Sequence, residues 1–433
     1  MSLASLKYFL FLSLSLLAFH LFKKYQKVVI AISSMTFFGL YDQLSLSVLV
    51  FASLVTYWSF KKEKTSVGIY TNLILLAVHH LLIASWTGEA LIPLLGISFF
   101  TLQNIAFLKE NKNPIDFLDY FVLSSFFPKQ LSGPILRFNN EERFFGKVQW
   151  KSGFERILLG LFKKLVIADR LDDLVDSVLL HPVDNPGLTQ YTATLLFLVQ
   201  LYFDFSAFVD IAIGSGKLFG IKLPENFNLP LRSKSLSEFW RKWHMTLMQW
   251  LVDFIYYPLS YRFRKSSLLV FTLPILLVFI TSGLWSGFEV KYLITVSFFA
   301  IIIIIEHFLK PFKPKGKWWN IPSWIISIHL LAFGFLFFGT KSEEYVFAIL
   351  ASIFKDFIPT DFYGQFVAPL ANGAHLNDQF NLALTLLLVA LSLLFEKRLN
   401  RDNWSPVKLI TIGISLLLFA NWEKTTQFIY MQF

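Results

Sequence analysis

Arg241, Lys242, Trp243 and His244 stand side by side in SLSEFWRKWHMTLMQW, residues 235–250, within an otherwise oily chain. Imidazole titrates near neutrality, so His244 can take a proton from a hydroxyl and later return it. The same residues also fit an interfacial helix whose tryptophans anchor at headgroup depth, with His244 satisfied by a neighbour. An ionisable group facing into a membrane bundle is costly, and function is the usual reason to keep one. Arg241 and Lys242, with Arg232 and Lys234 upstream, offer cations for phosphate contacts. Topology alone also accounts for all four, since basic residues collect on the cytoplasmic side.

Other chemistry is scarcer. The chain has no cysteine, which excludes disulfides, thiol catalysis and zinc-thiolate sites. Asp204, Asp210 and Asp253 lack a histidine or further acid at metal-ligand spacing, and are expected as buried hydrogen-bond acceptors or partners of Arg241 and Lys242. GSGK at 214–217 is no phosphate loop, because Ile211 and Leu218 occupy positions that need Gly and Ser or Thr. PENFN, 224–228, reads as a turn in which Asn226 and Asn228 bind backbone groups. His307 follows Glu306 at the expected cytoplasmic end of an apolar run and suits a structural or interfacial role. His79, His80 and His329 lie within apolar runs as packed polar groups, and His181 and His375 fall outside the bilayer.

The elements that must position these residues are membrane helices. The 433 residues are 55% hydrophobic, 18% aromatic and 16% charged, with mean hydropathy +0.56, too apolar for a soluble domain. Spanning takes roughly 20 apolar residues, and the recurring runs predict an all-α, multi-pass protein with about 11–13 membrane segments in one domain, 1–433. The first run lacks a small-residue cleavage site before Lys23 and Lys24 and is expected to be retained. Basic loops after the first, third and fifth runs alternate with connections free of Lys and Arg around Asp42 and Glu89. That places the amino terminus outside the cytoplasm, and the net charge of +10 then reports topology, with no nucleic-acid partner. Arg137 to Lys164 is a charged stretch ending in FERILLGLFKKLVIADRL, predicted as a helix near the cytoplasmic surface. Residues 357–379, with two prolines and two glycines, predict an outward loop. In the opening stretch, Ser235 and Glu238 form a capping box. Trp240, Trp243, His244, Leu247, Trp250 and Leu251 then follow on one predicted helix face.

Residues 202–259, YFDFSAFVDIAIGSGKLFGIKLPENFNLPLRSKSLSEFWRKWHMTLMQWLVDFIYYPL, closely resemble the signature of the membrane-bound O-acyltransferase family. LLGISFFTLQNIAFL (94–108), FFPKQLSGPILRF (126–138), GLFKKLVIADRL (160–171) and FLFFGT (335–340) agree in order, so the resemblance covers about 33–345. The branch is that of bacterial alginate O-acetyltransferases and teichoic-acid D-alanyl transferases. The resemblance implies a ring of tilted helices around a central tunnel where a cytoplasmic donor, acetyl-CoA or an acyl-carrier thioester, meets an acceptor hydroxyl from the far side. No bound cofactor or metal is implied. The acceptor would be an envelope glycan or an extracytoplasmic acyl-relay protein, at the cell (inner) membrane. By the same resemblance His244 is the histidine of the RxWH helix. The second family histidine falls in TSGLWSGFEV (281–290), where this chain has Trp285, Ser286 and Gly287. Serine does not accept a proton at pH 7, although a serine nucleophile with His244 as its base stays open. Arg232, Lys234, Trp240, Arg241, Lys242, Trp243 and Trp285 become candidate substrate contacts, and Asp204, Asn226, Asn228 and Asp253 structural members of the motif. Two rivals remain: an inactive relative that binds a partner or relays an acyl group, favoured by Ser286, and a transporter or flippase, which the central block disfavours.

Overall fold

A computed structural model describes residues 3–85, 93–138, 146–182, 184–314, 316–340, 343–355, 357–372, 379–400 and 404–420. Helices carry nearly all their regular structure. The chain forms two compact units, one of residues 1–160, 208–226 and 285–288, the other of residues 161–207, 227–284 and 289–433.

The first unit opens with α1 (Leu6–Leu21), α2 (Gln26–Tyr41), α3 (Gln43–Lys61), α4 (Thr65–Ser85), α5 (Ile97–Glu110) and α6 (Phe117–Ser125), and α7 (Trp150–Leu161) follows. Side-chain caps start two of them: Ser5 accepts from the Tyr8 N–H and Asp42 from the Ser45 N–H at 2.7 Å. Apolar pattern places these helices, and a polar thread fixes their register. Asn72 on α4 donates to Thr56 on α3 (2.9 Å), Asn104 on α5 donates to Asn72 (3.0 Å), and Tyr120 on α6 donates to Asn104 (2.7 Å). All four are fully buried, where an unmatched polar group would be costly.

The second unit begins with a π-helical turn at Phe162–Ala168 and α8 (Asp169–Leu179). It includes α9 (Gly187–Leu218) as far as Ala207, then α10 (Leu236–Trp240), α11 (Met245–Leu251), α12 (Tyr257–Arg262), α13 (Leu269–Ser286) as far as Leu284, α14 (Val290–Leu309) and α15 (Asn320–Gly339). The remainder holds α16 (Glu343–Lys355), α17 (Ala368–Asn372), α18 (Gln379–Leu399) and α19 (Pro406–Phe419).

Among the described residues six helices are long and apolar enough to cross a membrane, or seven if α1 and α2, bent by 106°, count as one span. The chain is therefore a multi-pass membrane protein, with fewer clear spans than the runs suggested. Several runs form helices too short to cross alone: α5 has 14 residues and α19 has 14. The stretch predicted as a helix near the cytoplasmic surface is helical, and its lysine pair is buried in protein. Lys164 is 1% exposed, with Nζ 2.8 Å from Asp169 and 2.7 Å from Asp204. Two carboxylates, one of them forty residues away, bring this cation inside. The segment 357–379, expected as a loop, contains a π-helical turn at Tyr363–Val367 and α17, while residues 373–378 lie outside those described.

Replacing Lys164 by Met would leave Asp169 and Asp204 buried without their cation, a loss of about 3–5 kcal/mol. A clear fall in thermal midpoint in detergent is expected, partly recovered by adding Asp204→Asn; an unchanged midpoint for Lys164→Met would contradict the assignment.

Candidate active site

The single helix expected through His244 is two short helices with a break between them. α10 ends at Trp240, and α11 starts at Met245 with His244 as its N-cap residue in the left-handed region, φ 44° and ψ 51°. A side chain there costs about 1–3 kcal/mol, and such a conformation persists only where its surroundings impose it.

Those surroundings can be followed outward from α10. The capping box forms in part: Ser235 Oγ accepts from the Glu238 N–H (3.0 Å), but the Glu238 carboxylate accepts from the Lys234 N–H (2.9 Å). Glu306 on α14 supplies a second clamp. Its carboxylate accepts from the N–H groups of Leu236 (2.8 Å) and Ser237 (3.1 Å) and from the Ser237 hydroxyl (3.0 Å). Three donors at the start of a five-residue helix are thus held by one carboxylate from another helix. At the other end, the Asn228 N–H donates to the Lys242 carbonyl (3.0 Å). Aromatic rings fill the space between. Trp240 meets Phe279 and Phe299, each with centroids 5.2 Å away, and Trp243 lies against Phe227, Phe239 and Phe335 at 5.1–5.4 Å.

His244 itself is 2% exposed, with the edge of its ring against Phe205 at 4.9 Å between centroids. The break lies outside the long apolar helices. Burial pushes the His244 pKa down to about 3, so the ring is neutral at physiological pH. Neutral imidazole has one nitrogen that donates and one that can accept, the form a general base requires.

The other predicted residues separate by contact. Arg232 donates to the carbonyls of Leu393 (2.7 Å) and Leu394 (3.1 Å), and Lys242 pairs with Glu238 (2.6 Å). Lys234 and Arg241 are exposed. Asp204 accepts from Lys164, Asp210 from Arg156 (2.8 Å) and Asp253 from Gln249 (2.8 Å), so the cations bound here are not the expected Arg241 and Lys242. Sequence proximity suggested those pairs; the chain path supplies others. Asn226 is fully buried, and Asn228 contributes its backbone N–H. Trp285 Nε1 donates to the Ser98 carbonyl (2.9 Å) within the first unit, which also includes Ser286, whereas His244 belongs to the second. His307 is exposed and stacks on Phe271 at 3.8 Å, His80 and His79 are buried side by side, and His329 meets Tyr191. His375 lies outside the described residues, among which no cluster suited to a metal ion occurs.

Beside the break is a cavity of about 780 Å³, lined from this segment by Trp240, Arg241, Met245 and Met248. Lys310 and Lys313 also line it, two residues that sequence analysis did not single out. Glu306 was likewise read only as a neighbour of His307. The available signal was a carboxylate ending AIIIIIE, a costly placement unless the acid is engaged.

The sequence profile of the MBOAT, membrane-bound O-acyltransferase family, matches residues 1–341, reaching further toward the amino terminus than the resemblance over 33–345. A peptidoglycan O-acetyltransferase of Helicobacter pylori is 31% identical over 311 residues, covering 61% of this chain and 57% of that protein. A probable alginate O-acetylase AlgI of Pseudomonas aeruginosa is 30% identical over 279 residues, covering 61% and 52%. A teichoic acid D-alanyltransferase of Bacillus subtilis is 28% identical over 277 residues, covering 58% and 70%. The chain thus spans little more than half the length of the first two relatives.

Glu306→Ala would strip α10 of its clamp and leave two backbone donors unmatched, at about 1–3 kcal/mol. The expected result is a lower thermal midpoint in detergent, with Glu306→Gln, which keeps one acceptor oxygen, falling between; equal midpoints for all three proteins would show that the clamp carries no stability.

Proposed function

Because the chain belongs to the membrane-bound O-acyltransferase family, we propose that it moves an acyl group, acetyl foremost, from a cytoplasmic thioester donor to a hydroxyl of an envelope polysaccharide or related glycan. The observation that carries this reading is His244, a neutral buried imidazole held in a left-handed break within the family's central block. His244 takes the proton of the acceptor hydroxyl as its oxygen attacks the thioester carbonyl. The carbon–sulfur bond then breaks, the thiolate leaves, and the proton passes from the imidazolium to sulfur, restoring the base. Nothing in this balance requires a resident cofactor or metal.

Ser286, at the place of the family's second histidine, would contribute a hydroxyl hydrogen bond where the imidazole is missing. Acetyl-CoA or an acyl-carrier thioester is the proposed donor. Arg232, Lys234, Arg241 and Lys242 lie on the proposed cytoplasmic side as candidate donor contacts; Arg232 and Lys242 already hold protein partners and Arg241 lines the cavity beside the break, which favours Lys234 for donor phosphates. Trp240, Trp243 and Trp285 would shape the path of the acyl group. The acceptor is a glycan or an extracytoplasmic relay protein. We place the whole chain, 1–433, as one catalytic domain in the inner membrane, ring-like around a tunnel, with its amino terminus outside the cytoplasm. A second reading, a member that binds a partner or relays an acyl group without hydroxyl chemistry, is favoured by Ser286.

The test is label transfer from acetyl-CoA or a charged acyl carrier to a panel of envelope glycans by the protein in lipid nanodiscs. Wild-type transfer is expected, reduced at least about 100-fold by His244→Ala. Transfer indifferent to His244→Ala would refute His244 as the base. Transfer by Ser286→His but not by wild type would establish the second reading.

A further inference from the structure

The α10–α11 break has two sides. His244 and Trp243 pack on Phe205 and Phe227, and neither lines the 780 Å³ cavity that Trp240, Arg241, Met245 and Met248 border. The cavity is therefore separate from the face that presents the proposed base, yet its size is that of a ligand site, roughly 300–1,000 Å³. Its far wall comes from α13 and α14 through Ile275, Val278, Phe279 and Ile303. These two helices are only 28% and 33% buried over their apolar windows, so their outer faces are open to the bilayer, while Val278, Phe279 and Ile303 lie on their buried faces toward the cavity. Lys310 and Lys313 follow directly after Leu309, where α14 ends, at the depth where a basic residue beyond an apolar helix meets lipid headgroups.

Charge points the same way. Arg241, Lys310 and Lys313 line the cavity, and none of the three forms an ion pair among the described residues. The carboxylate in the lining, Glu306, is already committed to the start of α10. An excess of cations at one end and a run of aliphatic side chains at the other match an amphiphile with an anionic head.

We propose that this cavity binds an anionic phospholipid, with the phosphate on Arg241, Lys310 and Lys313 and one acyl chain along Ile275, Val278 and Ile303. The lipid braces the α10–α11 segment from the side away from His244. A donor's pantetheine arm also carries phosphate, but the wall of outward-facing helices and the separation from His244 favour a lipid that enters from the bilayer.

Native mass spectrometry of the full chain, delipidated and then offered equal phosphatidylglycerol and phosphatidylcholine, tests this directly and does not depend on any transferase activity. Phosphatidylglycerol is expected to be retained preferentially, with roughly fivefold weaker retention per cation removed in Lys310→Gln and Lys313→Gln. Ile275→Trp, which fills the aliphatic end and leaves every cation in place, should also lose the lipid, and Lys112→Gln in the first unit should not. Each variant is checked for monodisperse elution, so a misfolded protein is not mistaken for an empty site. Equal retention of the two lipids, or retention unchanged in both the double lysine variant and Ile275→Trp, would overturn the proposal. Displacement of phosphatidylglycerol by equimolar coenzyme A would also overturn it, giving the site to the donor.

Discussion

A non-glycine residue in left-handed backbone does not hold itself in place, and His244 is such a residue. The two helices that flank it have five and seven residues, too few to be stable alone. Their geometry is therefore borrowed. Glu306 ties the first turn of α10 to α14, the Asn228 N–H holds the Lys242 carbonyl, and rings from α13, α14 and α15 close around Trp240 and Trp243. Each of these contacts opposes relaxation of the break toward a continuous helix, which would redirect the imidazole. The strain of about 1–3 kcal/mol is small beside the aromatic burial that opposes relaxation.

The same logic governs the polar groups elsewhere. A membrane protein cannot leave interior hydrogen-bonding groups to solvent, and several buried ones here recruit partners across helices. Asn72, Asn104 and Tyr120 do so in the first unit, and Lys164 with Asp169 and Asp204 in the second. These contacts give specificity that interchangeable apolar side chains do not.

Much of this was legible from residue order. The apolar composition gave the membrane class, Ser235 and Glu238 marked the start of α10, and the block around His244 carried the family resemblance. The break at His244 was not legible, because residues 240, 243, 244, 247, 250 and 251 fit one helical face and nothing local separates them. What separates them is packing from residues 39 to 92 positions further along. The burial of Lys164 was not legible for a related reason: a lysine pair among aliphatics carries no sign of Asp204, forty residues further along. Glu306 was visible as an expensive acid, but its partners on α10 lie 69 and 70 residues away and leave no local signature. The number of spans is hard to read from residue order, because an apolar run does not say whether its helix, like α5 and α19 at 14 residues each, is too short to cross alone.

The central claim is that His244 is a buried, uncharged imidazole at working pH. Nitrogen-15 NMR of histidine-labelled protein in nanodiscs, with His244→Gln to assign the signal by difference, tests it most directly. The account predicts that the His244 nitrogens keep the shifts of one neutral tautomer from pH 8 down to pH 5, because burial holds its pKa at about 3. Titration of that signal near 6.5, the ordinary histidine value, would contradict it.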